Sequence, residues 1–317
     1  MTFFKTLLAT ILGFFASFFL ITIILIAITA SFIAAAGSDD IVSIADGSLI
    51  SMNLSGALPE YSRGSLKGIL TDESDPTFLD YLRGLERIKS DTRIRGINLR
   101  IEGFAGSWPQ ASELRRKLEE VRAAGKFVVA SSGVHGFDER EYYLASAADS
   151  IIMEPSAALE LNGIAASLVF FKPMLDRLGV KPEIVKVGRY KSAVEPFLLD
   201  SASAENREMT RDLVTGIFSE FTTAVMKSRR IDSVALGRLV DSMAILSADE
   251  ARRAGLVDNV LYGDELEEML RRLGNQKTKH RLDEIDIEEY IRQELKSDYV
   301  GDGQVAVVYA VGTIVAG

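Results

Sequence analysis

Apolar residues fall into two regimes along this chain. Residues 6–38 carry no charge, whereas from residue 47 onward short apolar runs alternate with stretches whose apolar positions share one helical face. The first regime predicts a single helix. A run of about 20 apolar residues spans a bilayer core, and Phe3, Phe4, Phe14, Phe15, Phe18 and Phe19 enrich one end of this longer run. The second regime predicts an α/β fold, built from alternating strands and helices.

In that second part, strands are predicted at 48–54, 96–101, 126–131, 150–153, 157–161 and 183–187. A helix over 77–89 presents Phe78, Leu82, Leu85 and Ile88 on one face, and the next presents Leu114, Leu118 and Val121 before a stop at Gly125. Further helices are predicted around Tyr142, Tyr143 and Leu144, over 170–178 up to Gly179, and over 204–230. Ser247-Ala248-Asp249-Glu250 is a capping-box pattern that starts a short helix ending at Gly255. Residues 59–76 read as a polar loop, and the charged stretch 277–297 as a helical or flexible connector.

Charge then orients the N-terminal span. Lys5 precedes the uncharged run, and Asp39 and Asp40 follow it, which places the N-terminus in the cytoplasm and the rest of the chain outside it. The competing reading is a cleaved signal peptide with residues 34–36 as its small-residue site. The run exceeds the h-region of about 7–15 residues, which favours a retained anchor. A formal net charge of −9 excludes a nucleic-acid partner. With no cysteine, there are no disulfides and no thiolate chemistry.

Candidate chemistry concentrates in residues 188–197, Gly-Arg-Tyr-Lys-Ser-Ala-Val-Glu-Pro-Phe. Lys191 follows the predicted 183–187 strand. A lysine shielded from water can lose its charge and act as a base, although on the residues alone an exposed surface lysine is an equally open reading. Lys186 reads as a solvent-facing strand residue, and Ser192 as the cap of the following helix. Glu139 and Glu141 read as an exposed helical face rather than a catalytic carboxylate pair. Trp108 and Phe104 flank a glycine turn over 103–109, either lining a groove for apolar peptides or simply packed. Only His135 and His280 are present, and no serine sits in a Gly-x-Ser-x-Gly elbow, so a Ser-His triad and a zinc site are both excluded as expectations. No cofactor motif is present.

The 188–197 motif, the N-terminal span and the 247–260 segment together resemble the signal peptide peptidase family, SppA or protease IV, in its long tandem-repeat form. The likeness covers nearly the whole chain, and 188–197 is its most specific part. It implies a crotonase-like or Clp protease-like fold of repeated β-β-α units. It also implies a serine peptidase with a Ser–Lys dyad, in which Lys191 is the general base. The implied substrates are hydrophobic signal peptides, and the implied assembly is a homotetramer held in the inner membrane with the catalytic domain on the extracytoplasmic side.

The chain departs from that pattern in two respects. The region equivalent to the family's nucleophile segment, 134–143, contains no serine, and the glycine turn at Gly103 and Gly106 is degenerate as an oxyanion site. Residues 303–314 repeat the glycine-strand-glycine pattern of 47–58. The expected division is therefore an anchor at 1–40, a lysine-bearing crotonase-like peptidase domain at 47–275, a connector at 276–302 and the start of a second repeat at 303–317. On this reading the sequence is a fragment or a truncated product, inactive alone, and its nucleophile lies beyond residue 317. The alternative is an inactive membrane-anchored peptide-binding scaffold. An acyl-CoA-handling enzyme is suggested only by shared fold.

Overall fold

The computed structural model describes residues 2–36, 44–61, 76–276 and 282–295, with 308 and 310. Most of the 59–76 loop, His280, parts of the charged connector and nearly all of the 303–317 repeat lie outside the described residues. The chain divides into two compact units, one of Met1–Ser43, Pro59–Leu79 and Val300–Gly317, the other of Ile44–Leu58 and Asp80–Tyr299.

In the first unit, α1 (Thr2–Ala36) is one long apolar helix. Its stretch Thr2–Thr29 has a mean hydropathy of 2.8 and is long and apolar enough to cross a membrane, as an anchor or a signal sequence would be. The hydroxyls of Thr6, Thr10, Thr22 and Thr29 donate to carbonyls four residues earlier, at 3.1, 2.9, 2.8 and 2.8 Å. These threonines therefore present no unsatisfied donor to an apolar solvent.

The second unit is α/β. Its main sheet has six strands, all parallel, formed by β1 (Ser48–Gly56), β2 (Ile94–Phe104), β3 (Phe127–Ser132), β5 (Ser150–Met153), β8 (Asn259–Val260) and β9 (Glu284–Asp286), in the order β8-β5-β3-β2-β1-β9. A smaller sheet joins β4 (Gly136–Phe137), β6 (Ala158–Leu161) and β7 (Ala244–Ser247). The helices are α2 (Phe78–Ser90), α3 (Trp108–Ala123), α4 (Glu139–Ala145), α5 (Lys172–Arg177), α6 (Glu195–Leu198), α7 (Ala204–Arg229), α8 (Ser233–Asp241), α9 (Ala248–Arg253), α10 (Gly263–Leu273) and α11 (Ile287–Leu295).

The central strands carry unbroken apolar runs because a parallel sheet is covered on both faces. Leu49, Val129, Ile152, Leu270 and Leu282 form one buried cluster, with Leu266 and Met269 of α10 contributing to it. Leu85, Ile88, Leu114, Leu118 and Val121 are fully buried, as their helical spacing predicts. The capping box at Ser247 also forms: Glu250 N–H donates to Ser247 Oγ at 3.4 Å, and Ser247 N–H to Glu250 Oε2 at 2.9 Å.

Two predicted segments come out differently. Residues 183–187 form no strand; Val185 is 96% exposed and Val187 83%. Their β-branched composition suits a strand, but among the described residues no neighbouring strand supplies a ladder here. The charge-rich stretch is helical at α11, one of its two expected readings, but it also holds β9, which pairs with β1, and Ile287 and Tyr290 of α11 are buried.

Candidate active site: the Lys191 turn and the buried carboxylates

From residue 162 to residue 194 no side chain is buried. This arm leaves the small sheet after Leu161, passes through α5 and returns at Gly188. Gly188 adopts φ +99°, a left-handed conformation that glycine takes without strain. The turn closes with Lys191 N–H donating to the Gly188 carbonyl at 3.4 Å. Ser192–Val194 then forms one 3₁₀ turn that runs into α6.

Lys191 is exposed, and among the described residues its amine has no ion-pair partner. Ser192 is not the expected cap. It is the first residue of the 3₁₀ turn, and neither that turn nor α6 has a side-chain cap. Arg189 pairs with Glu205 at 2.6 Å, and Tyr190 Oη donates to Glu208 at 3.2 Å, so the residues flanking Lys191 are tied to α7. Phe171 stacks on Phe197 at 5.7 Å, and its N–H donates to the Pro196 carbonyl at 2.7 Å.

The turn is also fixed from inside. Glu195 is 1% exposed. Its carboxylate accepts from Ser203 Oγ at 2.7 Å, Ser203 N–H at 3.1 Å and Asn206 Nδ2 at 3.0 Å, with Lys186 Nζ at 3.6 Å. Burial pushes this carboxyl up, but the Ser203 and Asn206 hydrogen bonds and the Lys186 charge outweigh it and hold it below its usual range. Lys186 is thus not simply solvent-facing, since it turns back onto a buried anion.

A second group of carboxylates lies at the start of α4. Glu139 and Glu141 were expected on an exposed face, yet both are buried. Glu139 Oε1 accepts the backbone N–H groups of Asn162 and Gly163 at 2.5 and 2.7 Å. Glu141 accepts from Phe104 N–H at 2.9 Å and from Asp138 N–H at 3.0 Å, the latter completing a capping box. Desolvation raises the Glu139 carboxyl despite its backbone donors. These glutamates satisfy main-chain groups that the fold brings in from distant segments, which helical periodicity alone cannot show.

The glycine turn after β2 is closed in the same way. Phe104 is buried under the guanidinium of Arg140, 5.8 Å from the ring centre. A side chain at Gly106 would collide with the Phe104 ring. Trp108 is half-buried and meets Tyr143 edge-on at 5.8 Å. A cavity of about 400 Å³ opens near the carboxyl ends of β3 and β5, lined in part by Asn98, Arg100, Ser131, Ser132 and Glu154; Lys191 does not line it. No cluster able to hold a metal ion occurs among the described residues.

Residues 120–277, which include the whole Lys191 turn, match peptidase family S49. The chain belongs to peptidase family S49. Relatives of this S49 chain include "Protease 4" of Salmonella typhi, 30% identical over 83% of the chain and 43% of that protein. "Serine protease SPPA, chloroplastic" of Arabidopsis thaliana is 26% identical over 84% of the chain and 39% of its own length. A "Putative signal peptide peptidase SppA" of Enterococcus faecium is 22% identical over 66% of the chain and 62% of its own length. The S49 chain therefore spans about two-fifths of the length of the first two relatives.

Proposed function

We propose that this chain is the lysine-bearing part of a membrane-anchored serine endopeptidase that degrades apolar signal peptides, with Lys191 as general base of a Ser–Lys dyad. The observation that carries this reading is the 188–197 motif, which lies inside the S49 match and forms a pinned turn presenting one unpaired amine. Two lysines compete for the role. Lys186 Nζ lies 3.6 Å from the Glu195 carboxylate and is engaged there, whereas Lys191 has no ion-pair partner among the described residues.

The serine would come from a segment outside residues 1–317. Once that segment covers and dries the turn, a neutral Lys191 Nζ takes the serine hydroxyl proton as Oγ attacks the peptide carbonyl. The ammonium so formed protonates the leaving amine, and water then hydrolyses the acyl-enzyme, with Lys191 again as base. The unburied apolar arm that carries Lys191 suits a turn completed by another part of the protein or by a neighbouring copy, in a homo-oligomer of the kind implied by the family. The crotonase-like assignment rests on the same footing, supported by the parallel sheet with a small side sheet. The α1 helix would hold the assembly in the inner membrane, with the peptidase domain outside the cytoplasm.

The test is Lys191→Ala in the intact protein, assayed on a quenched-fluorescent peptide of leucine and alanine. Loss of cleavage by at least about 10³-fold is expected for removal of a dyad member. Cleavage at the unsubstituted rate would refute the assignment. The exposure of Lys191 favours one second reading, an inactive peptide-binding scaffold. That reading predicts binding of the same peptide without cleavage by the unsubstituted protein.

A further inference from the structure

The least expected group near Lys191 is a carboxylate sealed from solvent four positions later. We propose that Glu195 is a positioning residue for Lys191, fixing the turn that carries the base against the start of α7. The inference rests on the functional reading above and goes beyond it by assigning a second residue of the same site.

Three links support it. The first is local, within the backbone of the turn. Glu195 N–H donates to the Ser192 carbonyl, and its own carbonyl accepts from Leu199 N–H at 2.9 Å, so the residue closes the 3₁₀ turn and opens α6. The second is the anchor. Ser203 caps α7, with its Oγ accepting from Asn206 N–H at 3.1 Å while donating to Glu195 at 2.7 Å. One carboxylate thus joins the base-bearing turn to the cap of a 26-residue helix. The third is electrostatic. Glu195 holds Lys186 at 3.6 Å and so engages the competing cation in an ion pair of its own. The other charged and titratable groups facing this turn from α7 are Glu205, paired with Arg189, Glu208, bonded to Tyr190, and Asp212, whose charge acts on Tyr190; α5, packed on α6 through Phe171 and Phe197, adds Lys172, paired with Asp176 and Asp200. None of these forms an ion pair or hydrogen bond with Lys191 among the described residues.

A general base misplaced by about 1 Å costs on the order of 100-fold in rate. An amine left in bulk water stays charged at neutral pH, so a base held away from the segment that would dry it is lost to catalysis there. The experiment measures kcat and KM from about pH 6 to about pH 9.5, a range that spans the approach to the free-lysine value of about 10.4, on the leucine–alanine peptide, for the intact protein and for Glu195→Ala, Glu195→Gln and Lys191→Ala.

With Glu195→Ala, kcat at neutral pH is expected to fall about 10- to 100-fold. KM should change less than about twofold, and the acid limb of the profile should move to higher pH, so that most of the activity returns near the alkaline end. Glu195→Gln retains an oxygen for the Ser203 donors and is expected to fold and to shift the limb in the same direction by less. Unsubstituted profiles for both Glu195 variants, beside an inactive Lys191→Ala, would overturn this inference and leave the dyad reading standing. A loss equal at every pH and matched by a lower thermal midpoint would also overturn it, since that is the signature of weakened folding alone. An active Lys191→Ala would sink the dyad reading and this inference together.

Discussion

Glu139 is a charged side chain at the first position of a helix, and its carboxylate accepts the N–H groups of Asn162 and Gly163. Truncating it leaves two main-chain donors to find water in a partly closed site. Glu139→Ala is expected to cost about 1–2 kcal/mol, read as a lower urea midpoint at constant m value. Glu139→Gln keeps an acceptor oxygen in place and removes the burden of burying a charge, so its midpoint should lie within about 1 kcal/mol of the unsubstituted protein. Equal losses for the two variants would show that charge, rather than acceptor geometry, is what matters there. The sequence disclosed little of this. It placed Glu139 and Glu141 correctly on a helix, but their partners lie between 23 and 37 residues away, apart from the Asp138 cap. Periodicity reports which way a side chain points, not which distant backbone group arrives beside it. The same limit hid Glu195, whose neighbours Ser203 and Asn206 belong to another helix. The 188–197 motif, by contrast, could be singled out along the sequence because it is continuous in the chain, and it lies inside the S49 match.

At the scale of elements, the small sheet depends on a glycine. Gly136 has φ +92°, and a Cβ there would lie 1.6 Å from the Ala158 carbonyl oxygen, in the strand paired with it. Gly125 has a similar φ of +88° after α3, but nothing stands within 4 Å of its missing Cβ. Gly125→Ala therefore reports conformational strain alone, about 1 kcal/mol. Gly136→Ala adds a steric collision and should cost clearly more than about 2 kcal/mol by denaturant melt. If the two variants melted alike, the β4–β6 approach would be looser than described. Elements with long amphipathic runs, such as α2 and α3, were readable from apolar spacing. The 183–187 segment was misread because Ile184, Val185 and Val187 have the composition of a strand, while strand identity also needs a partner. β9 was missed for the opposite reason: three residues, two of them acidic, carry no periodic signal, and only pairing with β1 makes them a strand.

For the molecule as a whole, titration should bound stability on two sides. Hydrogen bonds from Arg93 hold the Asp91 carboxyl below its usual 3.8, and the Ser203 and Asn206 bonds hold Glu195 below 4.5 against its burial. A carboxyl with a lowered folded-state pKa contributes stability that is complete above the ordinary value and is lost as pH falls through the folded one. Burial raises the phenols of Tyr142 and Tyr290 above 10.0 and pushes Tyr143 up to about 12. These rings keep their proton when folded at pH values where the unfolded chain has shed it, so stability falls as pH rises past 10.0. Glu139 opposes the acid loss slightly, because its raised carboxyl favours protonation in the fold. The melting midpoint should therefore be flat from about pH 5 to about pH 9 and decline on either side. A midpoint still level near about pH 3 would show that the Asp91 and Glu195 bonds form equally in the unfolded chain.

The place of β9 beside β1 has a consequence for how the protein is made. Ser51 pairs with Asp286, so the strand that opens the fold waits for a partner synthesised more than 200 residues later. At about 5–20 residues per second, that interval is roughly 10–50 s. Throughout it, β1 offers a bare edge and an apolar face while tethered to a helix of membrane-spanning length. A nascent chain in that state is a target for any passing strand or protease. Chaperone cover over the first minute of its existence would decide its yield as much as the stability of the finished sheet.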